Sequence, residues 1–124
     1  MSGKDSCVVV LGASPKPSRY SNLAVRLLKS QGYRVIPVHP WAETIEDLPV
    51  LHALGAITEP VDTLTLYVGG QREKGLIDDI VGLKPGRVIL NPGTGCWELE
   101  QALTEHGIPF IYGCTLVMLR SGKF

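Results

Sequence analysis

Short apolar runs recur along the chain, and segments with helical periodicity lie between them. The first run, CVVVL, shows no alternation of polar and apolar positions and closes at Gly12. Such a run indicates a strand that is buried on both faces, as the strands of a parallel sheet are. The strands predicted in this way are residues 7–11, 33–38, 63–68, 87–90 and 109–112, with a short extended stretch over 48–51.

The segments between these runs predict amphipathic helices. In the first of them the apolar positions repeat at i, i+3 and i+4, which places them on one helix face. They are Leu23, Ala24, Leu27 and Leu28. Ser21 or Asn22 is the expected N-cap. Further helices are expected over residues 71–83 and 97–106.

The alternation of strands and helices predicts a single domain over residues 1–124 with a Rossmann-like fold, since each crossover helix must pack back onto the sheet. We expect a doubly wound, three-layer α/β architecture with a mostly parallel sheet of five to six strands. In such a sheet the segments that follow the strands meet along one edge, where open α/β folds bind ligands. Those segments are residues 12–19, 39–40, 69–70, 91–95 and 113–114.

The charges balance overall, with 12 basic and 12 acidic residues. A balance of this kind argues against a nucleic-acid binder, which needs a strongly basic surface. The distribution is uneven, because residues 1–40 carry six basic side chains and one acid, whereas 41–62 carry five acids and no base. A positive N-terminal third suits either a small anionic ligand near the first helix or an ordinary solvated helix face.

The cysteines indicate neither disulfides nor zinc. Cys7, Cys96 and Cys114 are odd in number and form no C-x-x-C pair, and His52 and His106 lie outside metal-ligand spacing, so no metal site is predicted. The polar N-terminus does not resemble a signal sequence, and no apolar run approaches the ~20 residues of a membrane span. These features predict a cytoplasmic protein without a membrane partner.

The segment after the first strand, GASPKPSR, is the first candidate for chemistry. Gly12 lets the backbone approach a phosphate, the following helix start offers unpaired N–H groups, and Ser14, Lys16 and Arg19 add donors. The segment matches neither G-x-G-x-x-G nor G-x-x-x-x-G-K-[ST]. It is therefore either a phosphate-binding loop or an ordinary polar connection.

The end of the second predicted strand bears on the kind of ligand. NAD-binding domains place an acid there to bond the ribose hydroxyls, whereas this chain has Val38, His39 and Pro40. The missing acid disfavours NAD and leaves room for a ribose or adenine that carries an additional phosphate. A second glycine-rich turn, NPGTG over residues 91–95, is either a contact for the rest of a cofactor or a turn that caps the next helix.

Two residues at strand ends have reactive side chains. Cys114 and His39 make a Cys–His nucleophile pair conceivable, and an inert cysteine beside a loop histidine is the alternative. Trp41 and Trp97 either stack on a base or pack in the ordinary way.

Five blocks of the sequence resemble a known family when taken in order: VVVLGASPKPSRYSN, GYRVIPVHP, PVDTLTLYV, ILNPGTG and GCTLVML. They are similar to the small stand-alone CoA-binding proteins, relatives of the N-terminal CoA-binding domain of the succinyl-CoA synthetase alpha subunit. The resemblance covers nearly the whole chain and implies a Rossmann-type domain that binds coenzyme A or an acyl-CoA. The synthetase uses a histidine from a later domain, so no catalytic residue is carried over and autonomous catalysis is not expected.

The resemblance also implies which residues contact the cofactor. The loop after the first strand would hold the phosphates of the 3'-phospho-ADP part, the second strand end would lie beside the ribose and adenine, and two further turns would flank the rest. These residues are Gly12, Ala13, Ser14, Lys16, Arg19, Val38, His39, Pro40, Val68, Gly69, Pro92, Gly93 and Cys114. The chain departs from the family pattern at His39, where Asn is expected, and at residues 69–70.

Two other functions remain open at this point. One is an NAD(P)- or CoA-dependent enzyme, or a redox sensor, that uses Cys114 or His39. The other is a redox- or ligand-sensing structural module that oligomerises through its apolar tail, residues 115–119. The expected protein partner is either a second copy of the chain, in a homodimer, or a different protein. All these functions share a small-molecule nucleotide cofactor as the expected partner.

Overall fold

The computed structural model describes residues 6–124. Its strands are Cys7–Leu11 (β1), Arg34–Val38 (β2), Thr44–Ile45 (β3), Leu48–Pro49 (β4), Thr63–Leu66 (β5), Arg87–Leu90 (β6) and Phe110–Tyr112 (β7). Five of them form the main sheet, all parallel, in the spatial order β2–β1–β5–β6–β7, and β3 and β4 form a separate antiparallel ribbon. The predicted Rossmann-like α/β fold is confirmed. Residues 1–5, which the predicted domain includes, lie outside the described residues.

Helices cover both faces of this sheet. They are Tyr20–Ser30 (α1), Gly70–Lys74 (α2), Ile77–Leu83 (α3), Trp97–Glu105 (α4) and Thr115–Arg120 (α5), with a single 3₁₀ turn at Leu54–Ala56. On one face, α1 contacts α5; on the other, α3 contacts α4. No helix within residues 6–124 is long and apolar enough to cross a membrane.

The position of β1 inside the sheet, between β2 and β5, explains why its sequence is apolar throughout. Val8 and Val10 pack on one face with Val25 and Leu28 of α1. The alternate residues of β1 pack on the other face, in the cluster that contains side chains of α3 and α4. Successive side chains of a strand point to opposite faces, so a strand with helices on both sides has no solvent-facing position for a polar residue.

The predicted N-cap of α1 is wrong. The helix begins at Tyr20, with Arg19 at the cap position, and no side chain caps it. Asn22 is fully buried within the first turn, where its amide donates to the Ser14 carbonyl at 2.9 Å and accepts from Arg26 Nε at 2.8 Å. The amide therefore holds the preceding loop instead of the helix end.

The predicted helix over 71–83 is two helices, α2 and α3, and the chain breaks at Gly75. Glycine is the residue, apart from proline, that a helix interior tolerates least. Glu73 of α2 is 1% exposed, and its carboxylate accepts the N–H of Gly95 at 2.8 Å, which ties α2 to the turn after β6.

The apolar tail, residues 115–119, forms most of α5. Thr115, Leu116 and Leu119 are buried within the chain itself, and Leu119 packs in the same cluster as α1. Val117 is the apolar residue of the tail that stays largely exposed. Most of the apolar surface of the tail is thus used to cover one face of the sheet.

Candidate functional site

A cavity of about 770 Å³ opens at the edge of the main sheet where the parallel strands end. The loop after β1, the start of α1, the end of β2 and the ends of β5 and α2 form its walls. A smaller cavity of about 110 Å³ adjoins it and shares Gly12, His39, Pro40 and Arg72. This edge is the one at which parallel α/β sheets bind ligands.

Gly12 shapes the floor of the larger cavity. Its φ of +89° lies in the left-handed region, and a Cβ built on it would stand 2.7 Å from Val68 Cγ2. Both observations require glycine at this position, because other residues pay for the conformation and have no room for a side chain. The chain can therefore turn sharply out of β1 while staying close to the end of β5.

Hydrogen bonds hold the loop after Gly12 in one shape. The N–H of Ala13 donates to the Val38 carbonyl at 3.2 Å, and the N–H of Lys16 donates to Ser14 Oγ at 3.1 Å. The guanidinium of Arg26 donates to the Pro17 carbonyl at 2.8 Å. Together with the Asn22 amide, these bonds hold the loop that lines the cavity in place.

Three cationic side chains line the larger cavity: Lys16, Arg19 and Arg72. Within residues 6–124 none of the three forms an ion pair, since the two ion pairs found there join Arg34 to Glu59 and Lys74 to Glu98. Among the described residues, no carboxylate lines this cavity. The start of α1 adds the positive end of a helix dipole, and its first turn carries no acid. The cavity is thus suited to a polyanion.

His39 stands where β2 ends, and its ring organises the turn that follows. Its Nδ1 accepts the N–H of Trp41 at 3.2 Å and that of Ala42 at 2.9 Å. Burial lowers the pKa of His39, and the nearby Arg72 and His52 lower it further. An accepting Nδ1 carries no proton, so the ring is neutral with its proton on Nε2.

The smaller cavity is mainly apolar. Val38 and Val68, both predicted as site residues, line it together with Leu11, Leu54 and Leu76. Its polar walls come from His52 and Asp79 in addition to the residues it shares with the larger cavity.

Four predicted site residues line neither cavity: Gly69, Pro92, Gly93 and Cys114. A Cβ on Gly69 would stand 2.6 Å from the Gly93 carbonyl oxygen, so the turns after β5 and β6 touch through their backbones. Cys114 is half-buried at the start of α5. Contact of these four residues with a cofactor stays a prediction.

The turn after β6 is held by a buried polar network centred on Asn91. Its amide donates to Thr65 Oγ1 at 2.7 Å and to the Leu66 carbonyl at 2.9 Å, and accepts the N–H of Thr115 at 2.9 Å. The Thr94 hydroxyl donates to the carbonyl of Asn91 at 2.7 Å. Asn91 thereby joins β5, β6 and the first residue of α5.

The hypothesis of a Cys–His nucleophile pair is wrong. Cys114 follows β7 and His39 follows β2, and these two strands form opposite edges of the main sheet. Four strand spacings separate them, or roughly 19 Å at about 4.8 Å per spacing. A proton cannot pass directly between groups that far apart.

Three residues that line the larger cavity were not predicted from the sequence: Tyr20, Tyr67 and Arg72. Trp41 also lines it, and the sequence had left open whether this side chain stacks on a base or packs in the ordinary way. Tyr67 follows β5 directly, but the strand predicted over residues 63–68 placed it inside the strand and not at its end. Burial raises the pKa of its hydroxyl to about 12. Arg72 carried no strand-end signal either, because it lies inside a segment read as one long helix.

The strand order and the ligand edge define an α/β protein of Rossmann-like fold. Residues 6–120 match the family described as the CoA binding domain. The chain belongs to that family, and the resemblance drawn from the five sequence blocks is confirmed.

Solved structures are similar over nearly the whole chain. One, an uncharacterized protein, is 41% identical with a TM-score of 0.91, and covers 98% of this chain and 100% of its own. A second, cell-free ID.343 from Thermus thermophilus, is 33% identical with a TM-score of 0.88, and covers 97% of this chain and 91% of its own.

A third structure shows the fold as part of a larger protein. It is a dinucleotide-forming acetyl-coenzyme A synthetase from Ca. Korarchaeum cryptofilum in complex with phosphate and ADP. It is 23% identical with a TM-score of 0.73, and the match covers 87% of this chain and 25% of the synthetase. At this identity the likeness concerns the fold alone.

Proposed function

We propose that this chain binds coenzyme A, or an acyl-CoA, in the larger cavity and acts as a binding module without catalysis of its own. The observation that carries the proposal is a set of three cations around a cavity at the ligand edge of the sheet: Lys16, Arg19 and Arg72. Within residues 6–124 none of them has a carboxylate partner. Membership of the CoA-binding family supports the identity of the ligand.

The phosphates of the cofactor would lie on the loop after β1. Gly12 and Ala13 bring the backbone close, Ser14 offers a hydroxyl, and Lys16 and Arg19 supply charge. Charge-assisted hydrogen bonds to phosphate are about twice as strong as neutral ones, at roughly 1.5–3 kcal/mol each. The start of α1, which no side chain caps, would add further N–H donors for the phosphates.

The ribose and adenine would lie beside Val38, His39 and Pro40, because β2 is not followed by the acid that NAD-binding domains place at this strand end. The turns at residues 68–69 and 92–93 would flank the pantetheine arm, which would run along the strand ends toward Cys114. We propose the cytoplasm as the location of the protein, because a ligand of this kind suits it. The three cysteines, which form no disulfide in the described chain, also suit a reducing compartment.

Calorimetry tests this proposal, with CoA titrated into protein that has been freed of carried-over ligand. We expect saturable binding that weakens about tenfold in Lys16→Ala and in Arg19→Ala, since each loses about 1.4 kcal/mol of phosphate contact. Lys74→Ala is the matched control, because Lys74 lines neither cavity and pairs with Glu98. Absence of heat with CoA, acetyl-CoA and 3'-phospho-ADP would refute the proposal.

A further inference from the structure

We infer that His39 is a positioning residue for the base of the bound nucleotide: its neutral ring fixes the turn over residues 39–42, and this turn presents Trp41 as the surface on which the base stacks. The inference rests on the proposed function, because the base belongs to the nucleotide that the cavity holds. The role it gives His39 and Trp41 is to hold the base, and neither side chain binds a phosphate.

The turn depends on one unprotonated ring nitrogen, His39 Nδ1. Side chains that accept backbone N–H groups two and three residues ahead are usually those of Asn, Asp or Ser. In this chain His39 Nδ1 does so for Trp41 and Ala42, and the backbone N–H of His39 is fixed in turn by the Leu51 carbonyl at 3.1 Å. Only the neutral imidazole with its proton on Nε2 can accept both bonds.

A second histidine holds the far end of the turn. His52 Nε2 lies 3.1 Å from the carbonyl oxygen of Ala42, and because a carbonyl only accepts, that nitrogen carries a proton. Protonation of His52 leaves this bond intact, since Nε2 is a donor in both states. Protonation of His39 instead places a proton on Nδ1, which then faces two N–H groups and breaks both bonds.

Trp41 is held at the cavity by this arrangement. Its indole meets the His39 ring edge to face, with ring centroids 4.7 Å apart and an interplanar angle of 79°. Trp41 nevertheless stays 75% exposed and lines the larger cavity. A large aromatic face that is fixed from one side and open to a ligand cavity is suited to stacking on a base, which contributes about 1–3 kcal/mol.

The surroundings keep the His39 ring neutral. Arg72 of α2 and His52 of the segment after β4 oppose a charge on it, and Lys16 and Arg19 of the loop after β1 line the same cavity. Asp79 of α3 lines the adjoining smaller cavity, which His39 also lines. Burial is the main cause that lowers the pKa of the ring, and the mostly positive charges around it add to that effect.

A double-mutant cycle with CoA at pH 8 tests whether His39 acts through Trp41. We expect Trp41→Ala to weaken binding about tenfold, His39→Ala to weaken it nearly as much, and the double variant to bind no more than about twofold more weakly than Trp41→Ala alone. His39→Asn keeps an acceptor for the turn and should stay within about threefold of the unchanged protein. Additive losses, near a hundredfold in the double variant, would overturn the inference, as would failure of His39→Asn to restore binding.

A second measurement needs no ligand and so separates this inference from the proposed function. The chain has two tryptophans, and Trp97→Phe leaves Trp41 as the sole reporter. Its fluorescence should change as the pH falls, with a midpoint below 6.5, the ordinary pKa of histidine, and this change should be absent in His39→Asn. His52 and the acids are present in both proteins. An identical titration in both would overturn the inference, whether or not CoA binds.

Discussion

Replacement of Gly12 by alanine tests how the ligand edge is built. The new Cβ would stand 2.7 Å from Val68 Cγ2 and 3.1 Å from the carbonyl carbon of Tyr67, in a backbone conformation with φ of +89°. The left-handed conformation alone costs alanine about 1–2 kcal/mol. The crowding of a buried valine and a backbone carbonyl adds about 1–3 kcal/mol. We expect Gly12→Ala to lower the free energy of unfolding by about 2–5 kcal/mol, as measured by urea denaturation.

Gly107→Ala is the matched control for this change. Gly107 also has a left-handed φ, +69°, but a Cβ on it would meet no atom within 4 Å. Its replacement should therefore cost only the conformational part, about 1–2 kcal/mol. If the two variants lose the same stability, the close approach of β1 and β5 is not what requires glycine, and the reasoning about the cavity floor fails.

Three further predictions concern buried polar groups. Asn91→Ala should lower the free energy of unfolding by about 2–4 kcal/mol in urea denaturation, because it removes three hydrogen bonds from the buried network that joins β5 to α5. A loss below 1 kcal/mol would contradict this. Cys7, whose thiol pKa burial raises to about 11, should be labelled by maleimide at pH 8 far more slowly than Cys96 and Cys114, as read by mass spectrometry of the native protein; equal rates would contradict burial of Cys7. Burial raises the pKa of Glu73 above its ordinary value, so its ionisation should lower the free energy of unfolding as the pH rises from about 4.5 toward neutrality. In urea denaturation, the stability of Glu73→Gln should therefore increase relative to that of the unchanged protein over this pH range. A constant difference between the two would contradict the raised pKa.

The sequence predicted the architecture because burial on both faces leaves a direct trace in composition. The run over β1 has no polar position, and the strands predicted around it match the structure to within about two residues. What failed was local. The predicted N-cap at Ser21 or Asn22 was wrong because the Asn22 amide hydrogen-bonds to the Ser14 carbonyl in the preceding loop. Helix-capping patterns in the sequence cannot predict that contact.

The candidate site was predictable only in part, for a similar reason. Lys16, Arg19 and His39 lie just after strands, and parallel pairing brings all strand ends to one edge, so their place at the cavity follows from the topology. Arg72 lines the cavity from α2, a short separate helix that ends at Lys74, and the apolar periodicity of residues 71–83 did not show this break. The role of the His39 ring depends on two backbone N–H groups, which leave no trace in the side-chain pattern.

The most direct test of the central claim is a map of backbone amide shifts in a titration with CoA. We predict that the largest changes fall on residues 12–19, on 39–42 and on Arg72, around the larger cavity, and that the exposed edge strand β7 changes little apart from the turn that follows it. Shifts spread evenly over the surface, or centred away from this cavity, would contradict the account.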